Sequence, residues 1–332
     1  MRMISKMVLV LVTLSVTALM AFDVAEVNKR TTKGFKPAVV KDWQAPDEKT
    51  IPNNMFGDYV RYGKQLITET YKYIGPEVAD KNMRYAGNNL ACNNCHQDAG
   101  TKKWGAPYMS TFANFPQYRN REDTIGTIEE RINGCMMRSM NGKPLPVMGK
   151  EMKSMVAYMF WLGQGVPIGA KVEGAEFPKV DRKIVMKRAA DPIKGEVVYK
   201  ENCASCHGEN GAGVKREGKA NGYEFPPLWG NDSYNTGAGM YRVLKSADWI
   251  VANMPLGATN QSRILTDDQA YDVAAYINNY DKPRPKKANK EKDFPDVKVK
   301  APDTDMLPYL DDKTRHQHKF GPYKDIIIPA KK

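Results

Sequence analysis

The chain has 332 residues, 42% of them hydrophobic and 10% aromatic, which is enough apolar side chain to bury one large core or two or three small ones and excludes a disordered or fibrous chain. A net charge of +12 points to an anionic substrate, an acidic protein surface or nucleic acid as partner. Five cysteines are present, and their placement does not resemble a structural disulfide framework.

In chain order, Met1-Arg-Met-Ile-Ser-Lys6 is basic and Met7 through Phe22 is almost continuously apolar. This is the n-region and h-region of a secretory signal peptide over residues 1–21, with cleavage after Ala21; an uncleaved membrane anchor is the competing interpretation. Either way the bulk of the chain is exported, which removes nucleic acid from the candidate partners. Tyr62-Gly63-Lys-Gln-Leu-Ile67 then leads to Cys92-Asn-Asn-Cys95-His96, to Cys135, and to Met152, Met155, Val156, Met159 and Leu162 at helical spacing. After a Gly-, Pro- and charge-rich stretch the order repeats. Lys194-Gly195 leads to Cys203-Ala-Ser-Cys206-His207, then Asn253-Met254-Pro255, then a helix opened by the capping box Thr266-x-x-Gln269 with Ala270, Val273, Ala274 and Ile277 on one face. Cys135 and Met254 hold equivalent places in the duplicated unit. The first unit carries about 20 extra residues before its CxxCH, an insertion expected in a surface loop.

C-x-x-C-H is the pattern that attaches c-type haem through two thioethers, with the histidine as proximal iron ligand. Two copies predict two covalently bound haem c groups on Cys92/Cys95 and Cys203/Cys206, with His96 and His207 on the irons. The predicted fold is all-α: cytochrome c-like domains over 50–163 and 191–282, joined by an irregular surface linker over 164–190. Residues 283–332 are expected to form an extended Lys/Pro-rich tail whose apolar end near Ile326 either clips onto a domain or stays free.

The distal ligands separate the two units. At the second haem Met254 stands 47 residues after His207 and just before the last helix, with Met240 as competitor. At the first, Cys135 competes with Met109, Met136, Met137, Met140 and Met148; the remaining histidines, His316 and His318, are expected to be exposed tail residues. If Asp123 through Met140 is one helix, Arg131, Cys135, Arg138 and Ser139 share a face beside an Ile125/Ile128/Ile132 stripe. Cationic neighbours favour the thiolate, the form that binds metal. Asn133-Gly134 is a turn dipeptide that could break this helix.

Arg131-Ile-Asn-Gly-Cys135-Met-Met-Arg138-Ser139-Met-Asn-Gly-Lys143, set between two CxxCH motifs, resembles the dihaem thiosulfate dehydrogenases, periplasmic cytochromes that join thiosulfate into tetrathionate, some of which also run the reverse. The resemblance extends from about Phe56 to Asp293. It implies a catalytic haem held by His96 and Cys135, with Arg121, Arg131 and Ser139 as site residues, and a His207/Met254 electron-transfer haem. Some members carry a lysine before that methionine that can itself bind iron; Asn253 here implies steady methionine ligation. It further implies a small periplasmic cytochrome or other electron carrier as partner, and no membrane span in the mature chain.

That chemistry is consistent with the basic site. Unit charges 4 Å apart repel by about 4 kcal/mol at an effective dielectric near 20, and two dianions face roughly four times as much. Forked guanidinium donors offset such repulsion. The Cys135 thiolate is also a nucleophile suited to a transient S-sulfonate. The alternatives are a non-catalytic dihaem electron carrier, which would tolerate methionine at position 135, a dihaem peroxidase, for which spare histidines are lacking, and a sulfur-oxidation carrier cytochrome.

Overall fold

A computed structural model describes residues 37–218 and 221–326, so the predicted signal segment lies outside the described residues. The first module opens with α1, Met55–Thr68, where the Asn54 side chain accepts from the Gly57 amide and Val60, Gly63, Leu66 and Ile67 face inward. Next comes α2, Ile128–Arg138, then α3, Lys150–Leu162, which buries Met152, Met155, Tyr158, Met159 and Leu162. In the second module α4, Pro192–Asn202, starts on an Asp191 cap with proline in its first turn. It is followed by α5, Val243–Asn253, and α6, Asp267–Ile277, whose Thr266/Gln269 capping box forms as the sequence predicts.

The duplication is visible in one close approach. Where α1 crosses α3, a Cβ on Gly63 would lie 2.0 Å from the Ser154 carbonyl oxygen and 2.9 Å from Cβ of Tyr158. Where α4 crosses α6, a Cβ on Gly195 would lie 2.0 Å from the Asp272 oxygen and 2.9 Å from Cβ of Tyr276. Only glycine lets these backbones meet, and a methyl at either place would force the helices apart at a cost of about 1–3 kcal/mol. Two cores follow. Val60, Leu66, Met152, Met155 and Tyr158 belong to the first, and Val198, Tyr199, Trp229, Ile250, Tyr271 and Val273 to the second. Among the described residues the strands are two or three residues long and form three two-stranded pairs. One of these, the antiparallel hairpin Gln117–Arg119 with Thr124–Gly126, positions the first site.

Several sequence expectations need correction. The helix expected to begin at Asp123 begins only at Ile128, because Thr127 and Glu130 form a reciprocal capping box, and Ile125 lies exposed on the preceding strand instead of in the apolar stripe. Asn133-Gly134 does not break the helix: the Asn133 amide donates to the Leu145 carbonyl at 3.0 Å and accepts its N–H at 2.8 Å. The extra residues before the first CxxCH are not merely a loop; they form the helix Thr70–Ile74 and place Ile74, Ala86 and Leu90 in the core. The stretch over 164–190 includes the short helix Arg182–Lys187 and buries Val180 and Val185 in the second core.

The tail is not simply extended. It ends in the helix Arg315–Phe320, and Phe320, Tyr323 and Ile326 join the second core. Each such large apolar side chain contributes about 1.5–3 kcal/mol on burial. The Phe320 carbonyl also accepts from Tyr271 Oη at 2.6 Å and the Ala190 amide at 2.8 Å. His318, expected to be exposed, is buried with both ring nitrogens engaged, Nδ1 by the Pro302 carbonyl and Nε2 by Asp311, each at 2.9 Å; His316 is exposed.

Candidate haem and active site

Each CxxCH is arranged for an iron. His96 Nδ1 lies 2.5 Å from the Ala106 carbonyl and His207 Nδ1 2.8 Å from the Pro226 carbonyl. A carbonyl can only accept, so each ring carries its proton on Nδ1 and keeps Nε2 for metal. The Tyr108 ring stacks on His96 at 4.5 Å between centroids. None of the five cysteines is in a disulfide, so two pairs are left for thioethers and Cys135 remains over. As thiols, before any thioether forms, Cys92 and Cys203 are pushed by burial up to about 11 and Cys95 to about 12, so none of these three competes with Cys135 as a thiolate. Burial also lowers His207, against the Pro226 hydrogen bond, which favours the neutral, metal-binding imidazole. The residues present fit a haem at each motif.

The first motif opens on a cavity of about 700 Å³ lined by Cys92, Cys95 and His96 on one side and Arg131, Cys135 and Ser139 on another. Helix α2 places Arg131 and Cys135 one turn apart, and Arg131 Nη1 donates to Cys135 Sγ at 2.7 Å. Burial would raise the Cys135 thiol, but Arg131, His96 and Arg138 together outweigh it and bring the thiol down to about 5. The thiolate in turn raises Arg131. Cys135 is within hydrogen-bonding reach of His96. The competing methionines differ: Met148 and Met137 are exposed, Met109 is buried in a separate small cluster, and Met136 and Met140 also line the cavity.

Ser139 caps the end of α2, and its carbonyl accepts from Asn88 Nδ2 at 3.0 Å. Arg121, at the tip of the hairpin, lines the cavity while Nη1 donates to Asp293 at 2.7 Å. Burial, with Arg138 nearby, lowers Arg121 to about 10 against the pull of Asp293, so it stays charged at neutral pH. The four sequence-predicted residues Arg121, Arg131, Cys135 and Ser139 therefore meet in one cavity.

At the second motif Met254 caps α5 and packs against the second core, the core against which Cys203 also packs. Its competitor Met240 lines the first cavity. Asn253 is buried and donates to the Trp104 carbonyl at 3.0 Å, which ties it to the first module.

Other wall residues escaped sequence reasoning. Arg138, placed by the sequence on the Cys135 face but given no site role, is buried, lines the cavity and donates to Glu122 at 3.3 Å. Lys245 and Trp249 of α5 line the same cavity, and Trp249 Nε1 donates to the Cys95 carbonyl at 3.2 Å. Nothing local in the sequence marks them, because they arrive from the other module.

Two helical modules, each with a histidine-anchored CxxCH, define a dihaem c-type cytochrome. A family model described as SoxA/TsdA, cytochrome c domain, matches residues 82–168, and one described as cytochrome c matches 193–281. The thiosulfate dehydrogenase of Stutzerimonas stutzeri is 37% identical over 77% of this chain and 78% of its own length; that of Psychrobacter arcticus is 39% identical over 80% and 74%. The solved thiosulfate dehydrogenase TsdBA from Marichromatium purpuratum superposes with a TM-score of 0.62 at 33% identity, over 71% of this chain. The present chain spans 48% of that longer protein. The chain belongs to the thiosulfate dehydrogenase family of oxidoreductases and carries two covalent haem c groups. Among the described residues no helix is long and apolar enough to cross a membrane.

Proposed function

We propose that the protein interconverts thiosulfate and tetrathionate at its first haem and passes electrons through its second to a small carrier, in the periplasm. The observation that carries this reading is Cys135 Sγ, which accepts from Arg131 Nη1 at 2.7 Å in the cavity that His96, Arg121, Arg138 and Ser139 also line. In this reading His96 and Cys135 hold one iron, and His207 and Met254 the other. The bound haems supply the one-electron steps, with thiolate ligation lowering the potential of the first and methionine raising that of the second.

The chain's own residues handle the anions. Arg131 keeps Cys135 ionised and presents N–H donors to the cavity. Arg121 and Arg138 offset the repulsion between two dianions whose sulfurs must approach each other. Ser139 adds a hydroxyl donor at the end of α2. Trp249 and Lys245 complete the wall from the second module. Residues 50–163 and 191–282 are the two haem-bearing domains of this scheme.

Steady-state turnover of purified protein tests the reading, with thiosulfate and an oxidised acceptor in one assay and tetrathionate and a reduced donor in the other. Turnover in at least one assay is expected; none in either would leave the family fold without the family chemistry.

A further inference from the structure

The second family match ends at residue 281, yet the contacts that hold the wall of the first cavity do not: Arg121, which lines it, is held by residues further along the chain. Beyond Tyr280 the chain leaves the second module on an arginine anchor: Arg284 donates from Nη2 to the Leu228 and Ile277 carbonyls, both at 3.0 Å, and lies 4.2 Å from the Tyr234 ring. The Thr236 amide donates to the Pro285 carbonyl at 3.0 Å, and Lys287 N–H returns a bond to Thr236 Oγ1 at 3.1 Å. This carries the tail onto the hairpin of the first module. There Asp293 accepts from Arg121 Nη1 through Oδ2 at 2.7 Å and from Lys287 Nζ through Oδ1 at 3.0 Å, with both acidic and guanidinium side chains largely buried. The Phe294 amide donates to the Arg121 carbonyl at 2.7 Å, and its ring lies 5.0 Å from the guanidinium carbon. Phe294 has φ of 59°, a left-handed conformation uncommon for a bulky residue, which the surrounding contacts must hold.

We propose that Asp293 is a positioning residue for oxyanion binding: it fixes Arg121 in the orientation with which that guanidinium meets thiosulfate, making the tail a support behind the wall of the active site. This rests on the function proposed above. A guanidinium has five N–H donors in a planar fork, so one edge can be held by a carboxylate while the rest addresses an anion. A carboxylate alone would cancel the charge that attracts the substrate. Lys287 on its second oxygen leaves the Arg121–Asp293–Lys287 group with net positive charge, so orientation is gained without losing attraction.

The test is a set of holoprotein variants assayed with thiosulfate and an oxidised acceptor. Wild-type turnover in the same assay separates failure of the parent reading from failure of this one. Asp293→Ala is expected to raise KM about tenfold with a smaller change in kcat, and Asp293→Asn, which keeps an acceptor oxygen, less. Because Asp293 acts through Arg121, the Arg121→Ala/Asp293→Ala double variant should be no weaker than Arg121→Ala alone. Haem content and resistance of residues 284–294 to limited proteolysis are read alongside. A raised KM with a protected tail and a non-additive cycle supports the proposal. An unchanged KM, or effects that add to those of Arg121→Ala, overturns it. If Asp293→Ala exposes the tail to protease, Asp293→Asn decides alone: a raised KM with a protected tail sustains the positioning role, and a wild-type KM or a released tail rejects it.

Discussion

The position equivalent in the two units is Cys135 in the first, in contact with Arg131 and lining a cavity with four arginines, and Met254 in the second, packed against an apolar core. The scaffolds beneath them are alike, down to Gly63 against Ser154 and Gly195 against Asp272. In the function proposed above, one helical unit serves two purposes according to what stands at a single equivalent position and what charge surrounds it. The modules also differ in enclosure. The first cavity borrows Trp249 and Lys245 from α5, and its Arg121 is held by Asp293 of the tail, whereas the second core is completed by Phe320, Tyr323 and Ile326.

The sharpest way to break this comparison is to remove the thiolate. Cys135→Ser should lower turnover by about 10³ or more while the visible spectrum still reports two attached haems. Near-normal turnover would reduce the asymmetry to a structural accident. Taking away the flanking charge should cost less. Arg131→Ala is expected to lower kcat/KM by about 10²-fold, the scale of losing one preorganised donor, and to shift the loss of activity to higher pH.

The pH profile of the wild type sharpens the same point. A thiol whose folded value lies near 5 is ionised above it and protonated below, so activity that needs the thiolate should persist from neutral pH down to about 5 and fall beneath that. A fall beginning near 8.5, about the value of an ordinary cysteine, would show that Arg131, His96 and Arg138 do not perturb it. At the second module, Met254→Ala should lower the potential of one haem, leave the other haem's spectrum unchanged and slow delivery of electrons to the acceptor about tenfold. The smallest effects belong to the shared scaffold. Gly63→Ala and Gly195→Ala should each lower the melting temperature by a similar few degrees, equivalent to about 1–3 kcal/mol, and a large inequality would deny that the two crossings are equivalent.

What the sequence makes legible is the local grammar. CxxCH names its own chemistry, the repeated glycine, tyrosine and closing helix expose the duplication, and the spacing between them puts Cys135 opposite Met254. Arg131 could be placed because one helical turn separates it from the cysteine. The helix start was misjudged although Thr127-x-x-Glu130 is a capping signal in plain view. Other parts were not legible because they depend on residues distant in the chain. Arg121 meets Asp293 across 172 positions, Trp249 meets Cys95 across 154, and His318 is buried because Asp311 and Pro302 fold back on it. Such pairings come from packing of whole modules, and no local pattern announces them.

The central claim is that one haem faces a cysteine thiolate and the other a methionine. Electron paramagnetic resonance of the oxidised holoprotein, compared with Cys135→Met, addresses it directly. The account predicts a low-spin thiolate-ligated signal in the wild type beside a histidine/methionine signal, with only the thiolate signal lost in the variant. Two histidine/methionine signals in the wild type, unchanged by the substitution, would contradict it.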